Sequence, residues 1–221
     1  MGTRKALPAE LTPTVDNILQ VFFEANDEQL SSGLGWYAMA HANAARIAHG
    51  DVECGAGVIA ALSPLTNWDR NVFLAEKAFL DDHASGSFFS NCAKADAIMF
   101  GWKDPLVALG GDKVRNFYRA IVDPADPEPV VIDRHAFAVA IGRVATDTER
   151  DTMLKRRGVY AQFAECYREA ALSLSHLFSE YIPPSAVQAV TWLVWRDTKA
   201  IDPEYARYAA VLSSGPRGAG L

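Results

Sequence analysis

The sequence has no apolar run long enough to cross a membrane. A transmembrane helix needs about 20 consecutive apolar residues, and the richest stretches here are interrupted by polar residues or proline, as at Pro64, Asp133 and Arg196. Residues 1–9 also have no apolar segment of the kind that a signal peptide requires. We therefore expect a protein of the cytoplasm that has no contact with a membrane.

Cysteine is scarce as well. The 3 cysteines, Cys54, Cys92 and Cys166, are far apart and lie among apolar or small residues, which is typical of buried, unreactive thiols. This pattern excludes a disulfide framework and a cysteine-based zinc site. The 5 histidines and the acidic residues show no metal-ligand spacing such as H-E-x-x-H. We expect neither a metal ion nor another cofactor.

Basic residues are too few to coat the surface. The 21 lysines and arginines are outnumbered by 27 acidic residues, and the formal net charge is -6. This balance excludes a protein that covers nucleic acid with a uniformly basic face. The basic residues are nevertheless grouped, within 103–119, 134–143 and 155–157. The middle of the chain is therefore the predicted anion-binding region.

Apolar residues at helical spacing are abundant. They make up 50% of the chain, which is enough to bury a full core. They recur every three or four positions, and the alternation typical of strands is nearly absent. We predict an all-α fold of about ten short helices in one domain over 1–221, with a frayed tail at 213–221. The predicted helices start at Thr12-Pro13 and run to about 23, then cover about 36–49, 56–62, 67–80, 91–100, 104–109, 113–122, 131–144 (regular from Asp133), 158–173 and 184–196.

Two segments in the middle of the chain combine a helix start with groups that suit charged ligands. Gly110-Gly111 precedes a predicted helix that carries Lys113, and free backbone N–H groups at such a start can bind a phosphate. Further along, the apolar run Val130 to Ile132 leads to Asp133 at the start of another predicted helix. The positive end of that helix favours an ionised carboxylate. A lysine facing a carboxylate in a partly dry pocket can act as a nucleophile or hold an anion.

These segments resemble the helix-hairpin-helix DNA glycosylase superfamily. The resemblance rests on the run GGDKVRNF that begins at Gly110 and on the run VVIDRHA that contains Asp133. It implies a compact multi-helix glycosylase-like domain with a helix-hairpin-helix element, whose Gly110 and Gly111 bind a phosphate of double-stranded DNA. It also implies that Asp133 and Lys113 are the catalytic residues.

A second block resembles the superfamily's loop before a helix, where side chains fill the gap that a flipped base leaves. It covers residues 60–71, AALSPLTNWDRN. The implied polar residues are Ser63 and Asn67. Trp68 is the candidate for stacking on a base.

The same segments resemble a remote branch of the superfamily, the phage enzymes of thymine hypermodification, which include amino acid:DNA transferases and proteins like glutamyl- or putrescinyl-thymine pyrophosphorylase. This resemblance implies base flipping and replacement of the phosphate of 5-phosphomethyl-deoxyuridine by an amine, such as free glycine. Asp133 would take the proton of the attacking amine. Cations and N–H donors would bind the leaving phosphate, and the candidates are Lys113, Arg115, Arg134 and His135.

The last predicted helix carries two polar residues that are costly to bury without partners, Gln188 and Arg196. We predict that both line the same pocket. Simpler interpretations remain for the neighbouring residues. Asp133 can be a helix cap alone, Lys113 a solvated side chain, and Trp192 a residue of the core.

Three functions therefore stay open from the sequence. The first is a transferase that places an amino acid on 5-phosphomethyl-deoxyuridine with loss of phosphate. The second is a DNA N-glycosylase, or glycosylase/lyase, that excises a modified base. The third is a helical DNA-binding or partner-binding protein without catalysis. The first two differ in whether the glycosidic bond survives, and the sequence specifies no oligomeric state.

Overall fold

The computed structural model describes residues 7–199, and all the regular secondary structure in this range is helical. This confirms the all-α prediction for that range, and the predicted tail at 213–221 lies outside it. Within the range, a 3₁₀ turn at Ala9–Leu11 precedes twelve α-helices. They are α1 Val15–Phe23, α2 Asp27–Leu34, α3 Trp36–Ile47, α4 Val52–Leu62, α5 Trp68–Asp81, α6 Phe89–Met99, α7 Pro105–Ala108, α8 Asp112–Val122, α9 Arg134–Ile141, α10 Asp147–Leu154, α11 Val159–Phe178 and α12 Pro184–Lys199. None of the helices in the described range is long and apolar enough to span a bilayer.

Helix α4 is the centre of a first hydrophobic core. Every residue from Gly55 to Leu62 is buried, and α3, α5, α6 and α8 pack around the helix. Gly55 permits the closest approach, because a Cβ atom at this position would overlap the backbone carbonyl of Ala44 in α3. The first core therefore depends on small residues that let helices come close together.

Helix α9 is the centre of a second hydrophobic core. Its residues from His135 to Ile141 are buried, and α1, α11 and α12 pack around it. Large side chains fill this core: the rings of Phe137 and Phe163 stack with centroids 4.5 Å apart. The buried Tyr167 hydroxyl donates to the Ala136 carbonyl at 3.0 Å.

The two cores meet along a junction that we call the seam. The extended segment before α9 alternates across it, because Val130 and Ile132 belong to the second core and Val131 to the first. Helix α12 likewise contributes Ala189 to the first core and its valines to the second. The start of α9 and one face of α12 are thereby fixed at the seam.

Two helices are absent from the sequence prediction, α2 and α10. Both have few apolar residues, and in α10 only Met153 is buried. Each is instead started by a reciprocal capping box, formed by Asn26 with Gln29 and by Thr146 with Glu149. Capping can thus define a short helix where hydrophobic periodicity is too weak to indicate it.

Some predicted helix limits were also wrong. The first helix begins at Val15 and not at Thr12-Pro13, because the side chain of Thr14 accepts from the Asn17 N–H. Helix α4 begins four residues before the predicted Ala56, at Val52, where Asp51 caps it.

Two helix ends differed from the prediction as well. Helix α9 ends three residues early, at Ile141, because Gly142 takes a left-handed conformation with φ +71°. Helix α11 continues five residues past the predicted Ser173, to Phe178, and only Ser179 breaks it with φ 54°.

Candidate functional site at the seam

Asp133 caps α9 and also contacts α12. Its Oδ1 accepts from the backbone N–H groups of His135 and Ala136, both at 2.9 Å. Its Oδ2 accepts from the indole Nε1 of Trp192 at 3.0 Å. A carboxylate has about four acceptor positions. The side chain is therefore locked in one orientation and retains one acceptor position, on Oδ2.

Trp192 connects this carboxylate to two basic side chains. Its ring lies edge-on to the imidazole of His135, with centroids 5.4 Å apart. The guanidinium carbon of Arg196 lies 5.0 Å from the Trp192 ring centroid, and the same guanidinium pairs with Asp197 at 2.8 Å. Trp192 is thus a structural link of the site, and its N–H needs the acceptor that Asp133 supplies.

His135 is buried, with 4% of its surface exposed. Its pKa is lowered to about 4: burial is the largest cause, Asp133 opposes the shift, and the positive charges of Arg134, Arg196 and Lys113 add to it. The Arg134 Nε donates to the imidazole Nε2 at 3.2 Å, so this nitrogen acts as an acceptor. The imidazole is therefore neutral at physiological pH.

These shifts also locate the positive charges of the site. Lys113 is exposed on the first turn of α8, yet its charge reaches His135 on α9. It forms no salt bridge with Asp133, although both act on the same imidazole. Lys113, Arg134 and Arg196 thus all act on His135 beside the carboxylate of Asp133, and Arg196 is in addition paired with Asp197.

Tyr37 and Gln188 form a buried pair beside Asp133. The Tyr37 hydroxyl donates to the Gln188 Oε1 at 3.1 Å. Burial raises the pKa of Tyr37 well above its usual value, and the negative charge of Asp133 adds to the shift. Only 5% of each residue is exposed. The pair therefore forms the floor of the site.

Tyr160 of α11 holds the chain that leads to Asp133. Its hydroxyl accepts from the Ile132 N–H at 3.0 Å and donates to the Val130 carbonyl at 2.8 Å. Asn116 of α8 also donates to this oxygen, at 3.3 Å. Burial raises the pKa of Tyr160 to about 12, so the phenol stays protonated and retains these bonds.

An aromatic wall extends from Tyr37 along the first core. Phe117 lies 6.4 Å from Tyr37 and 6.0 Å from Trp36, measured between ring centroids. Trp36 in turn packs against Trp68 at 4.8 Å. Both indoles are only partly buried. The wall therefore places partly exposed aromatic rings next to the buried pair of Tyr37 and Gln188.

The predicted hairpin links α7 to α8. Gly111 has φ +77°, and no atom lies within 4 Å of the position that its Cβ would occupy. No side chain caps α8, which begins at Asp112. A surface groove of about 440 Å³ runs beside this turn. It is lined by Leu106, Asp112, Arg115, Asn116 and Arg119.

Three further predicted site residues form local caps. The Ser63 hydroxyl donates to the Ala60 carbonyl at 2.9 Å, the Asn67 side chain accepts from the Arg70 N–H at 2.9 Å, and the Arg115 Nε donates to the Leu109 carbonyl at 2.9 Å. These contacts account for the position of each side chain without a bound ligand.

The loop between Ser63 and Asn67 contains a residue that sequence reasoning missed. Leu65 is 83% exposed, at φ 59°, which is uncommon for a leucine. Its backbone strain is the kind found at functional sites. The only sign of this residue in the sequence is that an apolar side chain lies between Pro64 and Thr66 in a predicted loop.

The chain belongs to a family of unknown function (DUF7178), whose model matches residues 1–199. No curated protein and no solved structure matches it.

Proposed function

We propose that this member of the family binds double-stranded DNA, flips out a modified pyrimidine and modifies it at the seam. The reaction is transfer of an amino acid such as glycine onto 5-phosphomethyl-deoxyuridine, with loss of phosphate. One observation carries the proposal. In a chain of net charge -6, the Arg134 guanidinium contacts His135 and the charge of Lys113 acts on the same imidazole, next to the carboxylate of Asp133 and beside an aromatic wall.

Each part of that arrangement matches one part of the substrate. Converging cations suit a phosphate dianion. Flat, partly exposed indoles such as Trp36 and Trp68 suit the face of a base. The exposed Leu65, three residues before Trp68, has the character of an apolar side chain that inserts between base steps and fills the space of a flipped base. We therefore assign the phosphate to the cations, the flipped base to the indoles, and the space that the base leaves in the duplex to Leu65.

The chemistry follows from these assignments. The amine nitrogen of glycine attacks the methylene carbon on C5 and forms a C–N bond. The C–O bond to phosphate breaks, and the phosphate leaves with its electron pair toward Lys113 and Arg134. The proton that the nitrogen loses passes to Asp133, whose Oδ2 has one acceptor position left. Solvent or the departing phosphate then takes this proton, and the glycosidic bond is untouched.

Base excision is the second candidate, and the hydrogen bonds of Asp133 favour it. Three N–H donors hold the carboxylate in one position. A fixed anion of this kind suits stabilisation of positive charge on a sugar as well as proton transfer. In that reaction the glycosidic bond breaks, and Lys113 is the residue that would form a covalent adduct with the DNA.

The deciding experiment is mass spectrometry of nucleosides after incubation of the protein with duplex DNA that contains 5-phosphomethyl-deoxyuridine, with and without glycine. The transferase produces a glycine-substituted nucleoside and DNA that survives hot alkali. A glycosylase produces strand breaks in alkali, and borohydride traps a Lys113-dependent adduct if it is also a lyase. Unchanged DNA in both assays, with duplex binding retained, would leave only the non-catalytic DNA-binding function.

A matched pair of variants tests the role of the carboxylate. Asp133→Asn should lower the rate by about two to four powers of ten, the usual cost of losing a general base. Asp51→Asn is the control, because Asp51 caps α4 in the same way but lies on the exposed surface. Equal activity of the two variants would show that Asp133 is only a helix cap.

A further inference from the structure

Gln188 is a largely buried amide whose donor end has no partner in the described part of the chain. Its Oε1 accepts from Tyr37 at 3.1 Å, and no residue among 7–199 accepts from its Nε2. Only 5% of the residue is exposed, yet Nε2 is not among the atoms that are fully buried without a partner, so it reaches the surface. Its N–H groups are therefore open to an acceptor on a ligand.

The amide lies inside the proposed site. On α12, Gln188 stands one turn before Trp192, whose indole donates to Asp133. Its partner Tyr37 is close enough to Asp133 for the carboxylate to add to the rise that burial causes in the pKa of the phenol, and it continues into the aromatic wall through Phe117. Tyr37 therefore connects this amide to the aromatic residues that we assign to the base.

Tyr37 binds one end of the amide and leaves the other end free. A phenol has one hydrogen to donate, and here it goes to Oε1. The two hydrogens on Nε2 are then directed away from Tyr37. Because Tyr37 holds the amide through this bond, it is a positioning residue for Gln188.

We propose that Gln188 donates to the C4 carbonyl of the flipped base and so selects uracil-type pyrimidines over cytosine-type ones. This inference rests on the proposed function, since it names the substrate class of the same site. Uracil presents an acceptor at C4, whereas cytosine presents an amino donor there. An amide N–H group therefore fits the first base and opposes the second. The C4 position also adjoins C5, the carbon that bears the phosphomethyl group.

The test is a pair of short duplexes that differ only at C4. One contains a single 5-phosphomethyl-deoxyuridine and the other a single 5-phosphomethyl-deoxycytidine, each opposite an abasic spacer so that both bases flip at equal cost. A third duplex with thymine at this position gives the reference affinity. Fluorescence anisotropy measures the three Kd values for each variant.

The wild type should bind the uracil duplex about tenfold more tightly than the cytosine duplex, as one hydrogen bond of the correct sense allows. Gln188→Glu has acceptors only when ionised, so the preference should reverse. Gln188→Met keeps the length without hydrogen bonds, and the preference should disappear. Tyr37→Phe frees the amide to rotate, and the preference should weaken. Gln162→Glu, exposed on α11, is the charge control and should behave as wild type.

The outcomes separate the two proposals. If neither modified duplex binds more tightly than the thymine duplex, the proposed function fails, and the role of Gln188 in it fails too. If both modified duplexes bind more tightly but equally, or if Gln188→Glu and Gln188→Met keep the wild-type ratio, the proposed function stands and the base-selecting role of Gln188 is wrong. Thermal unfolding of each variant identifies any that do not fold. If Gln188→Glu does not fold, the single variants Tyr37→Phe and Gln188→Met decide whether Gln188 selects the base.

Discussion

The two cores are each built around a buried helix that an aspartate starts, yet only one of these aspartates belongs to a candidate site. Asp51 begins α4, is exposed and accepts one hydrogen bond, from the Cys54 N–H at 3.0 Å. Asp133 begins α9, is partly buried and also binds Trp192 on another helix. The same local motif therefore has a different meaning according to what the rest of the fold places around it.

The cores also differ in how they are packed. Alanine and glycine around α4 let helix backbones touch, as Gly55 does with Ala44. Stacked and buried aromatic rings fill the core around α9, among them Phe137, Phe163 and Tyr167. Close backbone packing leaves room for few polar side chains, among them Asn71, whose Nδ2 donates to the Ile59 carbonyl of α4 at 3.1 Å. Bulky packing around α9 leaves a border at the seam, where His135 and Gln188 are buried with partners.

The largest effect is expected from loss of a ring in the second core. Phe163→Ala should lower the free energy of unfolding by about 4 kcal/mol, because it removes buried apolar surface and leaves a cavity beside Phe137. Urea denaturation measures the difference. Leu172→Ala on the same helix is the control, since Leu172 is 61% exposed, and its effect should be within about 0.5 kcal/mol. Equal losses would show that the second core is not packed as described.

The second-largest effect is expected from acid, which should lower the stability of the protein through His135 in the second core. The pKa of His135 is about 4 when folded, against about 6.5 in an unfolded chain. Above pH 6.5 the imidazole is neutral in both states and makes no difference. Between pH 6.5 and 4 the unfolded chain binds the proton more readily, so stability falls with falling pH, by about 3 kcal/mol in total. Below pH 4 this contribution is constant.

Urea denaturation across this range checks the acid effect. In His135→Gln the acid-dependent loss between pH 6.5 and 4 should shrink by that amount relative to wild type. His49→Asn is the control, because His49 is exposed at the end of α3, and asparagine tolerates its φ of 54°. The control should keep the wild-type pH dependence. An unchanged profile for His135→Gln would mean that His135 is not buried in the neutral form.

The first core should be most sensitive to added atoms. Gly55→Ala should destabilise the protein by about 2 kcal/mol, because the new methyl group forces α3 and α4 apart. Gly110→Ala is the control: the nearest atom to its added Cβ is the Lys94 Nζ, at 4.0 Å. Thermal unfolding of the two variants compares them directly. If Gly55→Ala is as stable as Gly110→Ala, close helix packing is not what holds the first core together.

The sequence could predict what depends on local pattern. Apolar periodicity indicated ten of the helices, and weak periodicity hid α2 and α10. Asp133 was found because an apolar run leads to an acid at a helix start, and Gln188 because an amide is costly to bury. Both signals are contained in short stretches of chain.

The partners of these residues could not be predicted. Trp192 lies 59 residues from Asp133, and Tyr37 lies 151 from Gln188. Their contacts depend on how α3, α9 and α12 cross, and no local pattern encodes that crossing. For the same reason the sequence placed Ser63 and Asn67 in the site, although each caps its own helix in the fold.

The smallest expected effect gives the sharpest comparison of the two aspartates. Asparagine caps a helix as well as aspartate does, so Asp51→Asn should change the free energy of unfolding by only a few tenths of a kcal/mol. Asp133→Asn keeps the cap but turns an amide N–H toward the indole N–H of Trp192. Two donors then face each other, and the loss should be about 1 kcal/mol greater than for Asp51→Asn.

A double-mutant cycle with Trp192→Phe separates structure from chemistry at this position. Phenylalanine removes the indole donor, so Asp133→Asn should cost about 1 kcal/mol less in that background, while Asp51→Asn should cost the same in both. Activity should not recover in the same way, because the reaction needs the carboxylate itself and not its bond to Trp192. The double variant should therefore lose the extra destabilisation that Asp133→Asn causes, and it should remain inactive. Recovery of activity together with stability would mean that Asp133 serves only to hold Trp192.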